Sequence, residues 1–228
     1  MKQIQLLSVQ VGLPQTLTSQ LEIGPTQKTW STAFFKLPVS GAVWVGKTNI
    51  VGDRQASSKT HGGIEKAVCV YPWEHYSSWQ RELDLPELVC GAFGENFTIQ
   101  GALEDEACIG DIFSFGGAVL QISQPRPPCW RLSQRWQIKD FAIRMEETGR
   151  TGWYCRVMKE GYVEAGAGVK LLDRPYAEWS VSAANELMYS RSRSEDEVRA
   201  LAACDLLSEG WREGLMEKVA KGRETKSR

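Results

Sequence analysis

The sequence predicts a mainly-β, barrel-like domain with a few peripheral helices over residues 1–175, followed by a small three-helix C-terminal domain over residues 176–228. Three observations carry this. Short runs rich in Val, Ile, Phe, Trp and Tyr recur between Gly, Pro and Ser punctuation through the first part of the chain, the texture of many short strands. Helical periodicity is confined there to two brief stretches. Past residue 175 the hydrophobic spacing changes to that of amphipathic helices.

The strands are read first. TAFFKLPV (32–39), GAVWV (41–45) and KAVCVY (66–71) are β-branched and aromatic runs with turn residues at their ends. The clearest element is the hairpin DIFSF-GG-AVLQIS (111–123), where Ile112 and Ser114 alternate with Phe113 and Phe115 and Gly116-Gly117 supplies a two-residue turn. Between strands, PWEHYSSWQRELDLP (72–86) spaces Tyr76, Trp79 and Leu83 for one helical face, with Pro72 in its first turn and Pro86 closing it. KDFAIRMEETG (139–149) is a second short helix ending at Gly149. Many strands with few helices favour a barrel. In the C-terminal part, WSVSAANELMYS, SEDEVRALAACDLL and SEGWREGLMEKVAKG read as three short helices. Ser194 with Glu197 three residues on forms a capping box for the second, whose stripe is Val198, Leu201, Ala202 and Asp205. Trp211, Leu215 and Val219 give the third an apolar face. Helices this short are marginal alone, so they must pack on one another or on the barrel. The tail KGRETKSR is expected to fray.

Composition narrows the function. The 228 residues are 42% hydrophobic and 24% charged, ordinary for a globular protein able to bury a sizeable core. Lys and Arg number 27 against 28 Asp and Glu, which gives no footprint of a nucleic-acid binder. The N-terminal apolar patch is too short for a signal peptide, and no run approaches the roughly 18 apolar residues of a membrane span. A cytoplasmic protein that engages neither nucleic acid nor membrane is expected. The six cysteines, Cys69, Cys90, Cys108, Cys129, Cys155 and Cys204, form no CxxC pair and no cluster, so neither a disulfide framework nor a structural zinc site is indicated.

One motif match is a decoy. Gly41 to Thr48 satisfies G-x-x-x-x-G-K-[ST], but its middle residues AVWV read as strand and the following NIVGD does not start a helix, so a phosphate-binding P-loop is not expected. Two glycine turns are more informative. Lys59-Thr60-His61-Gly62-Gly63-Ile64-Glu65-Lys66 could present backbone amides and cations to an anion, or be an ordinary turn before a strand. Ala92-Phe93-Gly94-Glu95-Asn96-Phe97 has the same two readings, with Asn96 bonding its own backbone in the plainer one.

The residue that stands out is Cys129 in SQPRPPCW. Pro125, Pro127 and Pro128 stiffen the chain, as a loop holding a side chain for chemistry requires. Arg126 stands near enough to favour the thiolate. Cys69 lies inside an apolar strand and Cys204 in an Ala-rich helix, where a thiol acts as a small hydrophobe. From the residues alone, Cys129 is open to three uses: a metal ligand, a sulfur carrier, or the nucleophile of a Cys-His hydrolase with His61 or His75 as base.

TAFFKLPVSG, NIVGDRQA, KTHGGIEKAVCVYPWEHYSSW, AFGENFT, IGDIFSFGGAVLQISQPRPPCWRL and GRTGWYCRV, taken in order over residues 30–172, resemble the MOSC domain family, named after the C-terminal domain of molybdenum-cofactor sulfurase. With the three-helix tail the chain is similar to the stand-alone bacterial proteins of the YiiM type. The resemblance implies a MOSC-type β-barrel, the molybdenum cofactor (molybdopterin), and reduction of N-hydroxylated compounds such as 6-N-hydroxylaminopurine, a detoxifying activity that confers resistance to them. It makes Cys129 the molybdenum ligand and catalytic centre. It suggests His61, Gly62, Gly63 and Gly94 as lining of the pterin pocket, Lys36, Lys66 and Arg126 for the cofactor phosphate, and Glu95, Asn96 and Gln124 for the polar edge of the pterin. No flavin, NAD or iron–sulfur motif is present, so electrons are expected from an external flavin or iron–sulfur reductase. A small N-hydroxylated substrate completes the partners, and assembly as a homodimer is left open. The alternative is a non-catalytic cofactor-binding protein, or a sulfur carrier with a persulfide on Cys129.

Overall fold

The computed structural model describes residues 3–23, 29–57, 61–190 and 194–226, with side chains through Lys221. The strands are β1 (Ile4–Val11), β2 (Gln15–Thr18), β3 (Thr29–Thr32), β4 (Leu37–Pro38), β5 (Val43–Val45), β6 (Val68–Pro72), β7 (Phe97–Gln100), β8 (Ile112–Phe115), β9 (Ala118–Pro125), β10 (Trp153–Lys159), β11 (Gly161–Val163) and β12 (Gly168–Asp173). The α-helices are α1 (Glu74–Leu83), α2 (Trp130–Trp136), α3 (Phe141–Thr148), α4 (Val181–Tyr189), α5 (Glu195–Ala202) and α6 (Glu209–Lys226).

Strands β12-β8-β9-β10-β6-β7-β1 pair in that order, and β1 pairs back onto β12 through Ile4 and Val169, closing a barrel. β4 adds to β1 outside the ring. The β6–β7 pairing is parallel and the others in the ring are antiparallel. Closure leaves the ring without free edges, which suits strands this short. The hairpin β8–β9 forms as its alternation requires, turning at Gly116, whose φ is 55°. The P-loop match is a turn: Gly46 N donates to Asn49 O, Ile50 bridges to Val45, and Lys47 Nζ donates to the carbonyls of Val157 and Met158.

Period-two alternation explains what the barrel buries. Val68, Val70, Trp153, Cys155 and Val157 point into the barrel core, while Tyr71, Cys69 and Tyr154 point to its outer face. On that outer face α1, α2 and α3 bury a second core of Tyr71, Tyr76, Trp79, Phe93, Leu132 and Phe141. Tyr71 and Phe93 stack at 4.1 Å and Trp79 meets Phe141 edge-on at 5.2 Å.

Several sequence expectations shift. Residues 33–36 are not strand: Phe34 N bonds Thr32 Oγ1 and Lys36 N bonds Phe34 O, so the run TAFFKLPV turns between β3 and β4. Pro72 ends β6 instead of opening α1, and the helix stops at Asp84, whose φ is 54°. α2 was not anticipated. Asp205, at the polar end of the stripe read for α5, accepts from Tyr176 Oη at 2.7 Å. The tail does not fray at Lys221, because α6 continues through Lys226. Ser194 caps α5 as expected, accepting from Glu197 N.

The three C-terminal helices do not form a core of their own. Val181, Leu187, Val198, Leu201, Trp211 and Leu215 belong to one apolar cluster with Phe97, Leu120 and Ile122 of the barrel. Backbone bonds reinforce the seam, with Val181 N donating to Ala107 O and Ser208 N to Ser123 O. Leu215 is fully buried in this shared core, so Leu215→Ala is expected to cost about 2–5 kcal/mol. In urea, helical and near-ultraviolet signals should still fall together at a lower midpoint; two separated transitions would show that helices and barrel are independent units.

Candidate functional site

A cleft with about 630 Å³ of empty space, its mouth open, lies on the outer face of the barrel. Its floor is Cys69 of β6 beside Tyr154 of β10, which are register partners. Both sit in strands apolar on both faces, so Cys69, expected as core, is buried and still reaches the cleft. Its walls are the turn after β3, the segments around Arg54 and His61, and the proline loop leaving β9.

Arg126 enters this cleft almost wholly buried, at 4% exposure. Its backbone N–H donates to Gly152 O at 3.1 Å and its Nη2 donates to Phe93 O at 2.6 Å. Nη1 is buried with no partner among the described residues. Its guanidinium lies 5.7 Å from the Phe34 ring centroid. Gly94 makes that arrangement possible: its φ is 73°, and a Cβ there would meet the Phe34 ring at 2.9 Å. An unsatisfied cationic donor in a buried site is costly unless an anion completes it.

Cys129 is half-buried and faces the same cleft. The guanidinium at its sulfur is that of Arg131, not of Arg126 as the sequence suggested: Arg131 Nη1 lies 3.7 Å from Cys129 Sγ and 3.1 Å from His61 Nε2. Burial, together with Arg131, Arg126 and Lys66, lowers His61 to about 4. The imidazole is therefore neutral, accepts from Arg131 at Nε2, and carries its proton on Nδ1. This arrangement speaks against the hydrolase reading: His61 Nε2 is engaged by an arginine N–H, and a ring held neutral by burial and cations is a poor base. His75 is bound to Glu104 at 2.7 Å and edge-on to Tyr71, serving the second core.

Of the residues expected at the site, Cys129, Lys36, His61, Lys66, Gly94, Asn96 and Arg126 line this cleft. Lys36 does so as part of an ion pair with buried Asp53, which also accepts from Gly12 N at 2.8 Å and Asn96 Nδ2 at 3.0 Å. Its charge is thus already countered, which corrects its expected role toward a phosphate. Asn96 is similarly engaged, its Oδ1 accepting from Cys69 N at 3.1 Å. Glu95 is a correction too: it points away from the cleft and accepts from Gly91 N, Phe93 N, Thr98 Oγ1 and Tyr76 Oη, fixing the turn that carries Phe93 and Gly94. Gln124, Gly62 and Gly63 line a second, adjoining cleft, and Gln124 Oε1 accepts from Ser208 Oγ at 2.8 Å. Lys59 and Thr60 lie outside the described residues. Sequence reasoning missed Arg54, Gln55, Phe34, Tyr154 and Arg131; of these only Arg131, two residues from Cys129, carried a local signal.

A thiol and several cationic side chains thus meet in one cleft on the outer face of the barrel. The MOSC domain family matches residues 57–170 and the YiiM-like, 3-alpha helix domain matches residues 179–222. The chain is 40% identical over 213 residues to Uncharacterized protein YflK of Bacillus subtilis, covering 93% of each, and 35% identical over 208 residues to Protein YiiM of Escherichia coli, covering 90% of this chain and 92% of that one. It is 35% identical to a protein of Gibberella moniliformis named Reductase, spanning 86% of this chain but only 38% of that protein. The crystal structure of YiiM from Geobacillus stearothermophilus superposes with a TM-score of 0.78 at 33% identity, covering 95% of this chain and 99% of that one. The chain belongs to the MOSC domain family, with the YiiM-like helical domain at its C-terminal end.

The His61 environment has a pH signature. The folded protein refuses a proton that the unfolded chain takes up between the ordinary histidine value of 6.5 and about 4, so this contribution to stability is full above 6.5 and is lost as pH falls toward 4. Thermal midpoints measured across that window should fall less steeply in His61→Gln than in the native protein. Equal slopes would mean that His61 is not held neutral.

Proposed function

We propose that this protein is a molybdenum-cofactor-dependent oxidoreductase that reduces N-hydroxylated compounds, 6-N-hydroxylaminopurine among them, to amines. The observation that carries the reading is the pairing, in one cleft, of an accessible thiol with a buried guanidinium whose Nη1 has no partner among the described residues. The cofactor is a pterin bearing a phosphate and a metal already held by two sulfurs, and such a metal takes a further soft ligand readily. Among the described residues no group of three or more His, Cys, Asp or Glu side chains is placed to hold a metal ion. A metal at Cys129 would therefore bring its other ligands with it.

The residues present fit the group. Cys129 Sγ would ligate the metal, oriented by the N–H of Arg131. Arg126 Nη1, Arg54 and Lys66 offer cationic donors to the phosphate and other anionic oxygens. The Lys36–Asp53–Asn96 network fixes the wall between them. Tyr154, kept protonated by burial, presents a phenolic O–H on the floor. When bound, the cofactor supplies two-electron removal of the N-hydroxyl oxygen. The balance is one N–O bond broken, two electrons and two protons consumed, and an amine and water released. The chain's part is to bind, to orient and to limit water. The electrons are assigned to an external flavin or iron–sulfur reductase. A relative bearing the name Reductase supports a reductive role for the matched region. A cytoplasmic location belongs to the same reading; no helix among the described residues is long and apolar enough to cross a membrane.

Protein purified from a host that makes the cofactor should carry near-stoichiometric molybdenum and reduce 6-N-hydroxylaminopurine with a chemically reduced dye as donor. Cys129→Ser should lose both the metal and the turnover. Metal-free protein carrying sulfane sulfur at Cys129 would instead make it a sulfur carrier and end the reductase reading.

A further inference from the structure

The turn that brings Lys66 to the Cys129 cleft is not held by apolar packing. It is a single 3-10 turn over Ile64–Lys66, none of its three residues is buried, and Ile64 is 59% exposed. Gly63 before it stands at φ 94° without a side-chain cap, and a Cβ there would meet nothing within 4 Å. A turn with no core of its own opens locally unless hydrogen bonds tie it down. His61 precedes it on the same loop and lines the cleft together with Lys66.

The ties converge on Glu65. Its backbone carbonyl accepts from Ser123 Oγ of β9. Its carboxylate Oε2 accepts from Arg156 of β10, from Nε at 2.9 Å and from Nη2 as well. The other bonds of Arg156 reach two further parts of the fold. Nη1 donates to Gln121 Oε1 of β9 at 2.8 Å, and Nη2 donates at 2.9 Å to Leu206 O, in the connection between α5 and α6. That connection is pinned to β9 in turn: Ser208 N donates to Ser123 O at 2.9 Å, and Ser208 Oγ donates to Gln124 Oε1 at 2.8 Å. One guanidinium thus joins the turn, the barrel and the three-helix unit. The Glu65 carboxylate is partly exposed, so the ion pair adds little to global stability. What the planar, many-donor group supplies is a fixed geometry.

We propose that Arg156 is a positioning residue of the Cys129 cleft: it holds Glu65 against β9 and the α5–α6 connection, and so sets where Lys66 and His61 stand on the cleft wall. The three-helix unit then takes part in the site without lining this cleft, by supplying Leu206 O as the far anchor. Only the identity of the group held in the cleft is borrowed from the reductase reading; the positioning can be measured without cofactor.

His61 reports where the loop stands, because burial and the cations Arg131, Arg126 and Lys66 keep it neutral, and Arg156 is not among them. Its ring is followed by nuclear magnetic resonance as a function of pH in cofactor-free native protein, Arg156→Met and Glu65→Ala. In both variants the loosened turn should raise the proton affinity of His61 about ten-fold or more, moving its midpoint from about 4 toward 6.5. The two substitutions remove opposite charges, so a direct charge effect would move His61 in opposite directions; a rise in both reports displacement of the turn. The other histidine, His75, is bound to Glu104 beside the second core and should keep its native signals, which shows that the fold is intact. A variant that also alters His75 has lost its fold, and the remaining one then decides. An unchanged His61 in a folded variant, shifts of opposite sign in the two, or loss of fold in both overturns the proposal. None of these outcomes touches the reductase reading, whose failure is read from molybdenum content instead.

Discussion

The structure of the site depends on burying the Arg126 guanidinium at the end of β9. Putting an ammonium or guanidinium group into a protein interior costs several kcal/mol unless it is compensated. Here Phe93 O takes one donor, the Tyr154 phenol lies alongside, and Nη1 meets no acceptor among the described residues. The surroundings are arranged around that charge. Glu95, sealed among amides and hydroxyls, holds the turn that delivers Phe93 O. Gly94 lets the Phe34 ring lie close, and His61 stays neutral instead of adding another positive charge. A cavity built this way presents a buried positive charge, and Cys129 lines the same cleft.

The cations in the cleft are not equivalent. Lys36 is matched by Asp53, and Arg131 is shared between the His61 ring and the Cys129 sulfur. Arg126 alone combines near-complete burial with a buried donor nitrogen lacking a partner among the described residues. A whole-chain charge of −1 conceals this local excess, because the acidic residues that balance it lie elsewhere. Net charge gives no footprint of a nucleic-acid surface, and it says nothing about a local cluster of cations.

Much of the fold was legible because it follows from short-range pattern. The β8–β9 hairpin, α1, α3 and the three C-terminal helices are set by alternation, helical spacing and capping residues within each segment. The segment 33–36 misled because aromatic residues favour strands only when a neighbouring strand is there to pair with, and here Phe34 and Phe35 pack against Arg135 and the cleft instead. At the site, the proline-stiffened loop singled out Cys129, and family motifs brought in Arg126, His61 and Lys66. Glu95 and Gln124 were misjudged because motif membership does not say which way a side chain faces. The Lys36–Asp53 pair, the meeting of Arg131 with His61, and the apposition of Gly62-Gly63 to Trp211 join residues far apart in the chain, and no local signal encodes them.

The account stands or falls on whether the cleft is an anion site centred on Arg126. Arg126→Gln keeps a donor for Phe93 O and removes the buried charge. The direct measurement is the rise in thermal midpoint of cofactor-free protein on adding inorganic phosphate, for the native protein and this variant side by side. The native protein should be stabilised in a saturable manner, and the variant should fold with a similar midpoint but show no such rise. A phosphate response of native size in Arg126→Gln would contradict the account.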